Sequence, residues 1–211
     1  AAAEEHGFPD LLALGEFLIG SALAERGEPG EGIRRMQRGL ELQAASGHSS
    51  CRTILLSRLA EALVSDGRAE EGLESAAQAL ALAGSSGEAS HFPEAQRVHA
   101  EALEAAGDGG IRTAERLRSA VQAARDSGAV LFELRAALSF EKAERRLGRG
   151  SDGYAAVAAA FARAKVRGFQ QAGASAGRAS RSGSSPTPKA ARRAAPRAVI
   201  SWKAGRSTST S

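Results

Sequence analysis

Apolar residues along this chain recur at the spacing of an α-helix, not at the alternation of a strand. Leu73, Ala76, Ala77 and Leu80 stand at i, i+3, i+4 and i+7 and form one apolar stripe. Ile33, Met36 and Leu40 repeat that spacing, as do Ala114, Leu117 and Val121. Glycines punctuate the stripes. Gly27, Gly67, Gly107 and Gly148 follow one another at steps of 40, 40 and 41, and Gly47, Gly87, Gly128 and Gly168 at steps of 40, 41 and 40. Two interleaved series with one period mark two loops per repeat. Residues between the glycines keep the same phase. Ser21-Ala22-Leu23, Glu61-Ala62-Leu63 and Glu101-Ala102-Leu103 hold one place, while Gly39-Leu40, Ala79-Leu80, Ala120-Val121 and Ala160-Phe161 hold another.

The pattern predicts eight helices in four antiparallel hairpins. First helices are expected over 10–26, 50–65, 91–106 and 130–147, and second helices over 29–46, 68–84, 111–126 and 152–167. Pro29 suits a first turn, where its missing N–H is not needed. Glu70 and Glu71 fall near a helix N-terminus, where the dipole favours carboxylates. Gly47, Gly87, Gly128 and Gly168 read as C-terminal stops, because glycine accepts the left-handed conformation. A single hairpin cannot bury its own stripe, so neighbours must stack and share a core. Small residues at Gly39, Ala79, Ala120 and Ala160 would let adjacent helices approach closely. The expected fold class is therefore all-α, an α-solenoid of about four antiparallel helical hairpins with a period of 40–41.

Composition supports helices: of 211 residues, 47 are Ala and only 4% are aromatic. The single Cys51 excludes a disulfide framework. No apolar run approaches the length of a membrane span, and the start, Ala1-Ala2-Ala3-Glu4-Glu5-His6, has no secretion signal and no Met. These features point to a cytoplasmic chain, read as a fragment of a larger protein.

Charge divides the sequence. Residues 1–168 hold 20 Lys/Arg and all 24 Asp/Glu, a net of −4, whereas residues 169–211 hold 8 Lys/Arg and no acid, a net of +8. The pI of 9.8 thus describes a basic tail on a mildly acidic body. The domains expected are a leader over 1–9, a helical repeat domain over 10–168, and a disordered Ser/Ala/Arg/Pro-rich tail over 169–211. Three readings of the tail stand: a solvated basic segment, an arm contacting nucleic acid or an acidic partner, and a product of a frame change in a GC-rich gene.

Catalytic motifs fail in context. Gly148-Arg149-Gly150-Ser151-Asp152-Gly153 matches G-x-G-x-x-G, but it follows a helix where a dinucleotide site needs a strand. Ser139-Phe140-Glu141-Lys142 matches S-x-x-K without the accompanying elements of a penicillin-recognising enzyme and reads as a solvated helix face. His48 and Cys51 do not make a zinc set, since Cys51, His91 and Phe132 share one repeat position and read as packing. Glu70, Glu71 and Glu74 read as an exposed face. No catalytic, cofactor-binding or metal-binding residue is assigned, and no enzyme is expected.

With the repeat established, three stretches carry a family resemblance: Arg26 to Gly47 (RGEPGEGIRRMQRGLELQAASG), Leu59 to Gly87 (LAEALVSDGRAEEGLESAAQALALAGSSG) and Arg118 to Leu138 (RSAVQAARDSGAVLFELRAAL). They resemble the tetratricopeptide-like region at the C-terminal end of large bacterial signalling ATPases, some of which are fused to class III adenylate/guanylate cyclase domains. The resemblance covers about residues 10–168 and implies a TPR-like solenoid. The family's nucleotide-binding and cyclase motifs are absent from this chain. What it implies is a non-catalytic protein–protein interaction scaffold that senses or regulates for an ATPase or cyclase domain of the same polypeptide or operon. The partner would be a protein or peptide on the concave face, with Arg58, Arg97 and Glu101 of the first helices as candidate partner-binding residues. The alternative reading is a fragment of a repeat-containing transcriptional regulator whose basic tail contacts nucleic acid.

Overall fold

The computed structural model describes residues 9–47, 51–85 and 89–181, with side chains described through residue 168. Gly87, His48 and the tail beyond residue 181, to which the sequence pattern attaches expectations, lie outside the described residues. Among the described residues there are eight α-helices and no strand, so the described part of the chain is all-α. They are α1 (Pro9–Glu25), α2 (Pro29–Ala45), α3 (Arg52–Ser65), α4 (Ala69–Ser85), α5 (Phe92–Ala105), α6 (Ile111–Asp126), α7 (Val130–Arg146) and α8 (Ser151–Arg181), with a single 3-10 turn at Ala89–His91 before α5. The chain divides into two compact units, 1–165 and 166–211. The first unit holds α1 to α7 and the first half of α8.

Glycine ends most of these helices in the same way. Gly27, Gly67, Gly107, Gly128 and Gly148 have φ between +68° and +97°. In each case the next amide reaches back five residues to a helix carbonyl: Glu28 to Leu23 at 3.0 Å, Arg68 to Leu63, Asp108 to Leu103 and Ala129 to Ala124 at 2.9 Å, and Arg149 to Glu144 at 2.8 Å. This is the Schellman arrangement, which satisfies carbonyls that a helix end leaves free. Pro29 sits in the first turn of α2, as its position suggests.

Gly168 behaves differently. It lies inside α8, which runs on to Arg181, so the stop expected near residue 167 is absent. Phe169-Gln170-Gln171-Ala172 tolerate a helix and the next proline is Pro186, while one glycine costs only about 1 kcal/mol in a helix interior. A glycine without a turn partner does not by itself end a helix.

Helices pair in order, α1 with α2, α3 with α4, α5 with α6, and the first helices α1, α3, α5 and α7 also pack each on the next. Small residues set the crossing points. A Cβ on Gly20 would lie 2.5 Å from the Gly32 carbonyl oxygen and 2.7 Å from the Met36 nitrogen, and a Cβ on Gly32 would meet Gly20 in return. One period later Gly72 faces Ala60 and Val64, and at the last hairpin Gly153 faces the Cα of Glu141. Gly32, Gly72, Thr113 and Gly153 thus form a further small-residue series, at steps of 40, 41 and 40. Gly39 meets Ala13 and Phe17 of α1, and Ala79, Ala120 and Ala160 are fully buried.

The apolar interior follows the stripes. Phe17, Ile33, Met36 and Leu40 share one cluster with Leu55, Leu56, Leu59 and Leu63. Leu117, Val121 and Phe140 centre another with Ala136, Ala137 and Ala160. Ala77 departs from its expected stripe: it is exposed, and the buried side of α4 is Gly72, Ser75, Ala76, Ala79 and Ala83. Ser75 is accommodated there because its hydroxyl donates to the Leu56 carbonyl at 3.0 Å across the hairpin.

Candidate functional site

Because α3, α5 and α7 lie side by side, charged residues spaced by three and four along each helix converge on their neighbours. Arg58 and Glu61 come from α3, Glu94, Arg97 and Glu101 from α5, and Arg135 and Ser139 from α7. Arg97 is the hub, with only 4% of its side chain exposed. Its guanidinium donates to Glu94 from both Nε (3.0 Å) and Nη2 (2.7 Å), to Glu101 at 2.6 Å, and to Glu61. Arg135 reaches the same Glu61 oxygen at 2.6 Å and brings its Nε to 2.9 Å from Glu94. Arg58 donates to the other Glu61 oxygen at 3.2 Å, and the Ser139 hydroxyl donates to Glu101.

Three cations thus meet three carboxylates, and the cluster is balanced. Neutrality is a physical requirement here, because an unpaired charge at this depth carries a desolvation cost of several kcal/mol. Burial pushes the Glu61 carboxyl up, but Arg97 and Arg135 outweigh it and hold the group below the usual carboxylate range. Arg97 remains protonated for the converse reason: burial opposes its charge, while Glu94, Glu101 and Glu61 more than compensate. Arginine suits the hub, since its planar fork serves three carboxylates at once.

A second buried carboxylate, Glu133 at the start of α7, is 2% exposed and receives Arg125 from α6 (3.0 Å) and Arg163 from α8 (2.9 Å). Burial alone would raise its pKa, and the two arginines lower it instead. Glu144 is also buried and pairs with Arg149 at 2.8 Å. The exposed face expected of the glutamates holds for Glu70, Glu71 and Glu74 but not for Glu94, Glu133 and Glu144. Helical spacing alone does not distinguish a solvated charge from one that a neighbouring helix covers.

The Arg97 cluster reaches the surface at one end. A cleft of about 430 Å³ lies between the first hairpin and α3, with Ser21, Ala24, Met36, Arg58, Glu61 and Ser65 among its walls. Arg58 is nearly half exposed there. Of the three candidate residues from the sequence, Arg58 thus lines a cleft, Arg97 lies beneath the surface, and Glu101 is partly covered between Arg97 and Ser139. One network contains all three. Glu94 and Arg135 are not singled out by the sequence pattern, and Ser139 enters it only through the S-x-x-K match. A signal exists for Glu61, which shares its repeat position with Glu101 in the Glu-Ala-Leu triplets.

Other motifs resolve into local structure. Ser139 of the S-x-x-K match is buried and bonded to Glu101, which corrects the solvated-face reading. Gly148 of the G-x-G-x-x-G match forms the turn between α7 and α8. Cys51 is exposed and left-handed (φ 62°) just before α3, which corrects the packing reading of that residue, whereas His91 and Phe132 at the same repeat position do meet, ring to ring at 5.9 Å. Among the described residues no three His, Cys, Asp or Glu side chains converge as a metal-holding group, and no helix is long and apolar enough to cross a membrane. No protein-family model matches the chain, and no curated protein matches it.

Proposed function

We propose that the chain is a non-catalytic protein–protein interaction module, a tetratricopeptide-like solenoid that serves as the sensing or regulatory region of a bacterial multidomain signalling ATPase or adenylate cyclase. The carrying observation is the cleft at Arg58 and Glu61, where a balanced ion cluster running through three helices opens to solvent. Met36, Ala24 and Ala62 give the cleft an apolar floor, and Arg58 retains donors that Glu61 does not use. These features fit a peptide segment that inserts an apolar side chain and places a carboxylate against Arg58.

Such a ligand carries a signal by competition. Its carboxylate draws Arg58 from Glu61, and Glu61 is shared by Arg97 and Arg135. The altered balance is then felt on α5 and α7, which carry Glu94, Glu101 and Ser139. Coupling through a contiguous charged network of this kind needs no large movement.

Selection of a displayed random peptide library against the chain tests the reading. Enriched peptides should carry an acidic residue beside an apolar one and should lose at least tenfold in affinity against Arg58→Glu. Arg34→Glu, an exposed charge on α2 away from the cleft, should leave binding unchanged. No enrichment, or peptides indifferent to Arg58, would overturn it.

A further inference from the structure

The first and last of the described helices expose apolar side chains at repeat positions that are mostly covered in the helices between them. On the second helices, Ile33, Met36 and Leu40 of α2 share their repeat positions with Leu73, Ala76 and Leu80 of α4, with Ala114, Leu117 and Val121 of α6, and with Tyr154, Val157 and Phe161 of α8, at steps of 40, 41 and 40. In the first three helices these side chains are buried or partly buried in the clusters that join one hairpin to the next. In α8, Tyr154 is 72% and Phe161 62% exposed. Aromatic side chains stand where the pattern calls for core, and none of the described residues covers them.

The first helices show the complementary gap. Leu59, His99 and Phe140 repeat the position of Ile19, at steps of 40, 40 and 41. Leu59 and Phe140 are buried, Phe140 in one cluster with Leu117 and Val121 of the preceding second helix. Arg58 and Ser139 repeat the position of Leu18, and each faces the preceding hairpin, Arg58 across the cleft and Ser139 through Glu101. On α1, Leu18 is 56% and Ile19 49% exposed. The α1 face therefore holds the accepting half of an interface whose donating half is on α8.

We propose that the chain associates with a second copy of itself head to tail, α1 of one copy seating Leu18 and Ile19 on Tyr154 and Phe161 of the other, at either side of the partly buried Val157. The contact continues the interface that joins α6 to α7, with Ile19 in the place of Phe140 and Phe161 in the place of Val121. It is heterologous, so each copy keeps one open face and the assembly grows by addition. The inference rests on the stacked-hairpin reading but not on the peptide cleft.

Sedimentation velocity of the full chain across a concentration series reads the outcome. The wild type should shift from monomer to dimer and larger species. Phe161→Glu and Ile19→Glu should each stay monomeric, with helical content by circular dichroism unchanged because both positions are exposed. An equimolar mixture of the two variants should form a dimer that grows no further, since only one intact pair of faces remains. Tyr154→Lys in place of Phe161→Glu should behave the same way. A wild type that stays monomeric throughout overturns the proposal, as does a mixture of variants that fails to pair while the wild type associates. A monomer that still binds selected peptides at Arg58 removes the assembly and leaves the interaction module standing.

Discussion

Arg97 and Glu94 illustrate how a charged pair can be part of an interior. Glu94 is 2% exposed, Arg97 donates to both of its oxygens, and Arg135 approaches one of them. Removing one partner from such a pair leaves a buried charge uncompensated, a cost of about 3–5 kcal/mol, whereas removing both costs much less. Arg97→Met should therefore lower the unfolding free energy by about that amount. Glu94→Gln in the Arg97→Met background should return part of the loss. Urea unfolding of the two single variants and the double variant measures the coupling. Strictly additive losses would mean that the two side chains act independently, against the geometry.

Helix pairs in this chain approach through backbone, and that sets what each glycine does. Gly20 of α1 and Gly32 of α2 leave no room for a Cβ, because the nearest atoms are main-chain atoms that cannot rotate away. Gly20→Ala should push the helices apart and destabilise the fold by about 1–3 kcal/mol. Gly15, on the same helix, has nothing within 4 Å of its would-be Cβ and a φ that any residue adopts. Gly15→Ala should stabilise by up to about 1 kcal/mol, through helix propensity alone. Thermal unfolding of the pair separates a packing glycine from a permissive one, and equal shifts would contradict the close crossing of α1 and α2. The helix ends obey a related distinction. Gly27 and Gly148 terminate because the following amide finds a carbonyl five residues back, and Gly168 does not terminate because the helix continues around it.

Across the molecule, several buried ionisable groups push stability in one direction as pH falls. His99 is half-buried, and burial together with the nearby Arg116 lowers its pKa from 6.5. The unfolded chain therefore takes up that proton first. The stability His99 contributes is present above the usual histidine range and is lost as pH drops through its folded value. Glu61 and Glu133 are likewise depressed from 4.5, held by their arginines against burial, so their contributions are present above the usual carboxylate range and vanish in acid. Melting temperature should hold near neutral pH, fall modestly below about 6.5 and fall steeply below about 4.5. His99→Gln should abolish the first fall and leave the second. A melting temperature that rises on acidification would contradict the burial of these groups.

How much of this was legible in the sequence depends on how far each interaction reaches along the chain. The all-helical class, the order of the helices and nearly all their ends were readable, because helical stripes and glycine turns are local: Ile33, Met36 and Leu40 mark a face, and Gly67 marks an end, whatever lies nearby. Gly39, Ala79, Ala120 and Ala160 were readable as contact points because the period repeats them. The ion cluster was not. Glu94, Arg97 and Glu101 carry the spacing of an ordinary solvated face, and they become interior only because α3 and α7 close over α5 and supply Glu61 and Arg135. Tyr154 and Phe161 fail in the opposite sense: their pattern predicts burial, and only the tertiary structure shows that no neighbouring helix among the described residues covers them. Sequence determines which side of a helix is apolar. Burial of a charge, or exposure of a stripe, is decided by which other helix arrives, and that depends on packing between residues far apart in the chain.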